Sequence, residues 1–130
     1  MQVPAIYVHW NGGVGSVKAI AETCKDRGYC NPAKDADYAL ARMAGVWHEF
    51  FGIADSLSLG FTILKEGDEY GCDKGAYLIG NDWEIVEHFK NGKPLPVEPD
   101  GAYECQQYEG IKKFMKELTE KLKEADKAVR

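Results

Sequence analysis

Residues Ala5-Ile6-Tyr7-Val8-His9-Trp10-Asn11-Gly12-Gly13-Val14-Gly15-Ser16 set the organisation of the chain. An apolar run of β-branched and aromatic residues, suited to a pleated and half-buried surface, breaks off into Asn-Gly-Gly. That triplet permits positive φ, and Ser16 is a good N-cap for a segment beginning at Val17. The stretch predicts a strand over 5–10, a tight turn and then a helix, with the densest set of candidate functional groups in the turn.

Working outward, Val17, Ile20, Ala21 and Cys24 recur at i, i+3, i+4 and i+7, the stripe of an amphipathic helix that Gly28 can end. Asn31 and Pro32 open a second, longer helix with Tyr38, Leu40, Ala41, Ala44, Trp47, Phe50 and Phe51 as its apolar stripe and Gly52 as its stop. The period then falls to two. Leu57, Leu59, Phe61 and Ile63 predict a strand, and Ala76-Tyr77-Leu78-Ile79 predict its hairpin partner across a long polar tip. Trp83, Ile85 and Glu87 alternate with Glu84, Val86 and His88 in a further short strand. Pro94, Pro96 and Pro99 exclude helix and central strand from the next connection. From Tyr108 to Ala128, Ile111, Phe114, Met115, Leu118, Leu122 and Ala125 repeat at helical spacing. The order β-α-α-β-β-β-α gives an α+β fold, a small and mainly antiparallel sheet with helices packed on one face. The hairpins of the second half argue against a doubly wound parallel sheet.

A chain of 130 residues with 45% hydrophobic and 28% charged residues reads as one globular domain over 1–130. It carries no apolar run of the ~20 residues that cross a bilayer, and Met1-Gln2-Val3-Pro4 opens no secretory signal, so a cytoplasmic protein without a membrane partner is expected. The net charge of −5 disfavours direct nucleic-acid binding, which needs a basic surface to neutralise phosphate. Cys24, Cys30, Cys72 and Cys105 lack the close pair that structural zinc sites use, so free thiols and no metal are expected.

The glycine turn has two readings. Backbone N–H groups at the start of a helix can hold an anion, with Ser16 and Lys18 assisting. Yet Gly12-Gly13-Val14-Gly15-Ser16-Val17-Lys18 matches neither the phosphate loop nor the dinucleotide fingerprint, and a plain tight turn accounts for it. A small-molecule or nucleotide site there would use His9, Trp10, Asn11, Gly12, Gly13 and Ser16, with Trp83 for stacking. A nucleophile would need Cys24 or Cys30 to meet His9 and Asp82 after folding, and no local signature asks for that. No cofactor is expected, and binding is favoured over catalysis.

Acidic residues gather where aromatic ones do. Glu66, Asp68, Glu69, Tyr70 and Asp73 form one cluster in the hairpin tip, and Glu98, Asp100, Tyr103, Glu104 and Glu109 form a second, with Tyr108 beside it. Aromatic anchors in an acidic surface suit a basic protein partner. A homodimer through the C-terminal helix is a third reading.

Tyr7-Val8-His9-Trp10-Asn11-Gly12-Gly13, followed by Gly75-Ala76-Tyr77-Leu78-Ile79 and Asp82-Trp83-Glu84-Ile85-Val86, resembles a group of small, largely uncharacterised proteins of bacteriophages and other mobile elements. These open with a strand ending in His-Trp-Asn/Asp-Gly and close their sheet with an Asp/Asn-Trp-Glu-Ile-Val segment. The resemblance spans roughly the first two-thirds of the chain and supplies no catalytic role. It implies a product that acts inside a bacterial host against a defence component, such as a CRISPR complex, by occupying the complex or sequestering a nucleotide signal.

Overall fold

The computed structural model describes residues 2–55, 59–65 and 74–130. Strand β1 (Gln2–Val8) leads into helix α1 (Val14–Asp26) and helix α2 (Ala36–Asp55). Strands β2 (Leu59–Lys65), β3 (Ala76–Ile79), β4 (Ile85–Lys90) and the two-residue β5 (Lys93–Pro94) follow, and helix α3 (Gly101–Val129) closes the chain. The class is α+β, in the order the periodicities predict, and the described residues form three α-helices and two small antiparallel sheets.

Strand pairing is where the structure departs from the sequence reading. β2 pairs with β1, not with β3, in a seven-residue ladder that sets Ile6 against Phe61 and Val8 against Leu59. β3 pairs instead with β4, Tyr77 opposite His88, and β5 adds a short third strand. Alternation specifies which face a strand buries but not its neighbour, and β1 offers β2 a partner as long as itself. β1 also ends earlier than predicted, so His9 and Trp10 lie beyond it. Trp83 belongs to a 3-10 turn, Asn81–Trp83, rather than to a strand.

α1 is the centre of the core. Ile20 and Cys24 are fully buried, and Val17 and Ala21 join them, as the predicted stripe requires. α2 covers one side with Ala39, Met43, Val46, Trp47 and Phe51. Ala44, Trp47 and Phe51 of the predicted stripe are buried and Phe50 packs against the core, but Ala39, Met43 and Val46 widen the inward face, Ala41 is exposed and Tyr38 stands 60% exposed. α2 breaks at Gly52, whose φ of +73° belongs to the left-handed region that glycine enters without strain. Ahead of it, Asn31 does not cap α2; its side-chain oxygen accepts from the backbone N–H groups of Ala33 and Asp82, tying the α1–α2 connection to the 3-10 turn.

α3 runs parallel to α1 and meets α2 where Phe114 lies edge-on to Phe50 at 6.1 Å, contributing Ile111 and Met115 to the core. Polar contacts stitch the two helices in order. Lys112 pairs with Glu22 at 3.3 Å and Asp26 at 2.7 Å, and Arg27 donates to Thr119 at 2.9 Å while its guanidinium meets Glu49 of α2 at 2.6 Å. No described helix is long and apolar enough to cross a membrane.

Candidate functional site

The glycine turn is built differently from either sequence reading. Asn11, not a glycine, takes the left-handed conformation (φ +62°), which asparagine tolerates through local side-chain bonding. α1 then starts at Val14 with Gly13 as N-cap, so Ser16 is a buried residue of the first turn rather than a cap. Gly13 offers no side chain to the N–H groups of the first turn, which have no partner within the helix. Glu104, 89 residues away in α3, supplies one: its Oε1 accepts from the Gly15 N–H at 2.8 Å. A carboxylate at a helix N-terminus is favoured by the helix dipole as well as by the hydrogen bond. The place where an external anion would sit is held by the chain's own carboxylate.

The glycines make that contact possible. A Cβ on Gly13 would lie 2.7 Å from both Glu104 carboxylate oxygens, and a Cβ on Gly15 would overlap the Glu104 main-chain oxygen. Their role is close approach, and neither has positive φ. Asn11 reinforces the junction, its side-chain amide donating to Ser16 Oγ and Gln107 Oε1, both at 3.5 Å. Lys18, expected to assist an anion, contacts Glu98 and Glu22 and lies over the Tyr108 ring at 5.0 Å.

Two of the sequence-predicted sites therefore meet. Glu104 of the second acidic cluster touches Gly13 and Gly15 of the turn, and the Asn11–Gln107 bond joins the segment bearing Trp10 to the helix face bearing Tyr103, one turn before Gln107. Trp10 is 61% exposed, edge-on to the exposed His9, and Tyr103 is 67% exposed. Asp100 and Glu109 are exposed as well. Glu98 is exposed but engaged by Lys18. Tyr108 turns inward, and burial together with its hydrogen bond to Glu22 raises its phenol above the ordinary value. Trp83 is core, 4% exposed, its indole N–H donating to the Tyr29 carbonyl at 3.3 Å, so it offers no stacking face to a ligand. Glu66, Asp68, Glu69, Tyr70 and Asp73 lie outside the described residues, as does Cys72.

Beside the junction opens a cleft of about 240 Å³, lined by Lys74, Leu95, Pro96, Asp100 and Glu104 together with Gly13 and Val14. Tyr77 and His88 complete the lining, and their rings stack 13° from parallel at 3.9 Å. Periodicity places His88 at the end of a short predicted strand and gives it no functional role. The hairpin register, which sets it opposite Tyr77, is the signal that finds it. His88 is buried, with Nδ1 2.7 Å from the Pro96 carbonyl and Nε2 2.6 Å from the Lys74 carbonyl. A main-chain carbonyl oxygen sits against each ring nitrogen, so the side chain is a strut between three segments and neither nitrogen is open to a substrate or a metal. Tyr77 donates to the Gly12 carbonyl at 2.7 Å, and burial and then the Glu104 charge raise its phenol above the ordinary value.

The nucleophile constellation does not assemble. Cys24 is fully buried, and burial pushes its thiol up to about 12, while His9 stands exposed past the end of β1. Cys24, Cys30 and Cys105 are free, and among the described residues no group of three or more His, Cys, Asp or Glu side chains could hold a metal. No protein-family profile, curated protein or solved structure matches the chain.

Proposed function

We propose that the chain is a non-enzymatic binding protein of phage or mobile-element origin that inhibits a host defence complex, such as a CRISPR complex, by covering a basic surface otherwise used for nucleic acid. One observation carries the reading. The turn that could have held an anion is closed by Glu104, while Trp10 and Tyr103 stand exposed on the joined segments and Asp100 and Glu109, at the N-cap and in the N-terminal half of α3, are exposed as well. Large aromatic side chains left in water on an element that also carries exposed carboxylates suit a partner's basic, partly apolar surface, with the aromatics as anchors and the charges steering encounter.

Capture from bacterial lysate at low and moderate salt, with wild type beside a Trp10→Ala/Asp100→Lys/Tyr103→Ala/Glu109→Lys variant, tests this. Wild type is expected to retain a nucleic-acid-binding complex in a salt-sensitive manner, and the variant to lose at least about tenfold in capture. A second variant, reversing Glu66, Asp68, Glu69 and Asp73, measures the contribution of the other acidic cluster. Undiminished capture by a protein carrying both sets of changes overturns the proposal.

A further inference from the structure

α3 carries a second, independent surface. Ile111, Met115, Leu118, Leu122, Ala125 and Val129 are spaced 4-3-4-3-4, the a/d alternation of a coiled-coil seam. The first two are buried in the chain's own core and Leu118 is half-buried. Beyond Thr119, the last residue of α3 that α1 reaches through Arg27, the seam emerges uncovered, with Leu122 40% and Val129 83% exposed. Along the overhang run exposed intrahelical pairs, Lys123 with Glu120, Lys127 with Glu124 and Arg130 with Asp126.

We infer that this overhang pairs with the overhang of a second copy of the chain, antiparallel, about a two-fold axis between Lys123 and Glu124. The seam itself sets the register. Turning the helix about that point places Leu122 against the partner copy's Ala125, and Leu118 against its Val129, so a large side chain meets a smaller one in each layer. The charges agree. The same rotation brings the basic pair Lys121 and Lys123 level with the acidic pair Asp126 and Glu124 of the other copy, Lys121 and Glu124 flanking one side of the seam and Lys123 and Asp126 the other. The present intrahelical pairs are solvent-exposed and worth little, so they exchange readily for intermolecular ones. In-register parallel pairing is closed, because at Ile111 and Met115 the partner helix would occupy the space of the chain's own core.

The overlap is short. In this register Arg130 lies level with the partner copy's Glu117, so about 21 Å of helix faces its mate, and its few seam side chains bury well under the ~800 Å² per partner of a standard interface, which makes the dimer weak. Sedimentation equilibrium of the full chain, under reductant because Cys105 is exposed, from roughly 10 μM to 1 mM reads it directly. The average mass is expected to climb from 14.5 kDa toward twice that value. Leu122→Asp, and independently Val129→Asp, weaken association at least tenfold with unchanged far-ultraviolet dichroism. A variant with acidic residues at all four positions flanking the seam (Lys121→Glu/Lys123→Glu) and one with basic residues at all four (Glu124→Lys/Asp126→Lys) each stay monomeric and associate when mixed. Wild type monomeric throughout, or a dimer indifferent to both Leu122→Asp and Val129→Asp, overturns the inference. Failure of the mixed variants to associate overturns the antiparallel register.

Discussion

The two halves of α3 share one repeat and meet opposite fates. In the N-terminal half, Glu104 caps α1, Tyr108 and Lys112 bond its acidic residues, and Ile111 and Met115 are buried. In the C-terminal half the same spacing continues through Leu122, Ala125 and Val129 into water. Length decides the difference: α1 has 13 residues and α3 has 29, about 20 Å against about 43 Å, so the parallel pair leaves an overhang. A helical repeat identifies the face that seeks cover, and the neighbouring element decides whether cover exists.

The strongest way to break this contrast is at the contact that seats the packed half. Gly15→Ala puts a methyl group onto the Glu104 main-chain oxygen, which cannot move unless α3 shifts as a body. A loss of about 3 kcal/mol is expected, read as a lower urea midpoint. Met115→Ala opens a cavity at a fully buried site and should cost about 3 kcal/mol, whereas Leu122→Ala at low protein concentration, where the chain is monomeric, should cost no more than about 0.5 kcal/mol. Equal losses at Met115 and Leu122 would show that the overhang is packed in solution.

The same contrast explains what could be read in advance. The element order, the α1 stripe and the Gly52 break follow from spacing and from glycine's conformational range, which are local properties. The start of α3 at Gly101 was hidden, because Ala102, Glu104 and Cys105 give no apolar period ahead of Ile111. The pairings of Gly15 with Glu104, of β1 with β2 and of His88 with the Lys74 and Pro96 carbonyls join distant segments, and nothing in either member of a pair names its partner. Acidic character alone likewise did not separate Glu104, turned inward to α1, from Asp100 and Glu109, left in water.

A smaller effect tests how dry the packed side is. Cys24 has an ordinary thiol value of 9.0, raised to about 12 in the folded chain by burial. Between those limits the unfolded chain gives up the proton and the folded chain keeps it. Stability from this group is therefore complete below pH 9 and is lost as pH rises toward 12, by about 1.4 kcal/mol per pH unit. Cys24→Ala should flatten that part of the stability-against-pH curve relative to wild type. An unchanged slope would place water at the α1 core.

The finest test separates two glycines on facing helices. Gly15 is required because α3 lies against it, but Gly110, in the packed half of α3 itself, is exposed, and a Cβ there meets no heavy atom within 4 Å. Gly110 does not have positive φ, so alanine fits its backbone without strain. Glycine inside a helix leaves more backbone freedom to the unfolded chain, and replacing it with alanine removes that freedom at no steric cost. Gly110→Ala should therefore stabilise the chain by about 0.8 kcal/mol, the opposite sign to Gly15→Ala. Thermal melts of the two variants side by side make the comparison. Destabilisation by Gly110→Ala would mean that another surface closes on α3 at that point, and the packed half would then be covered on two sides.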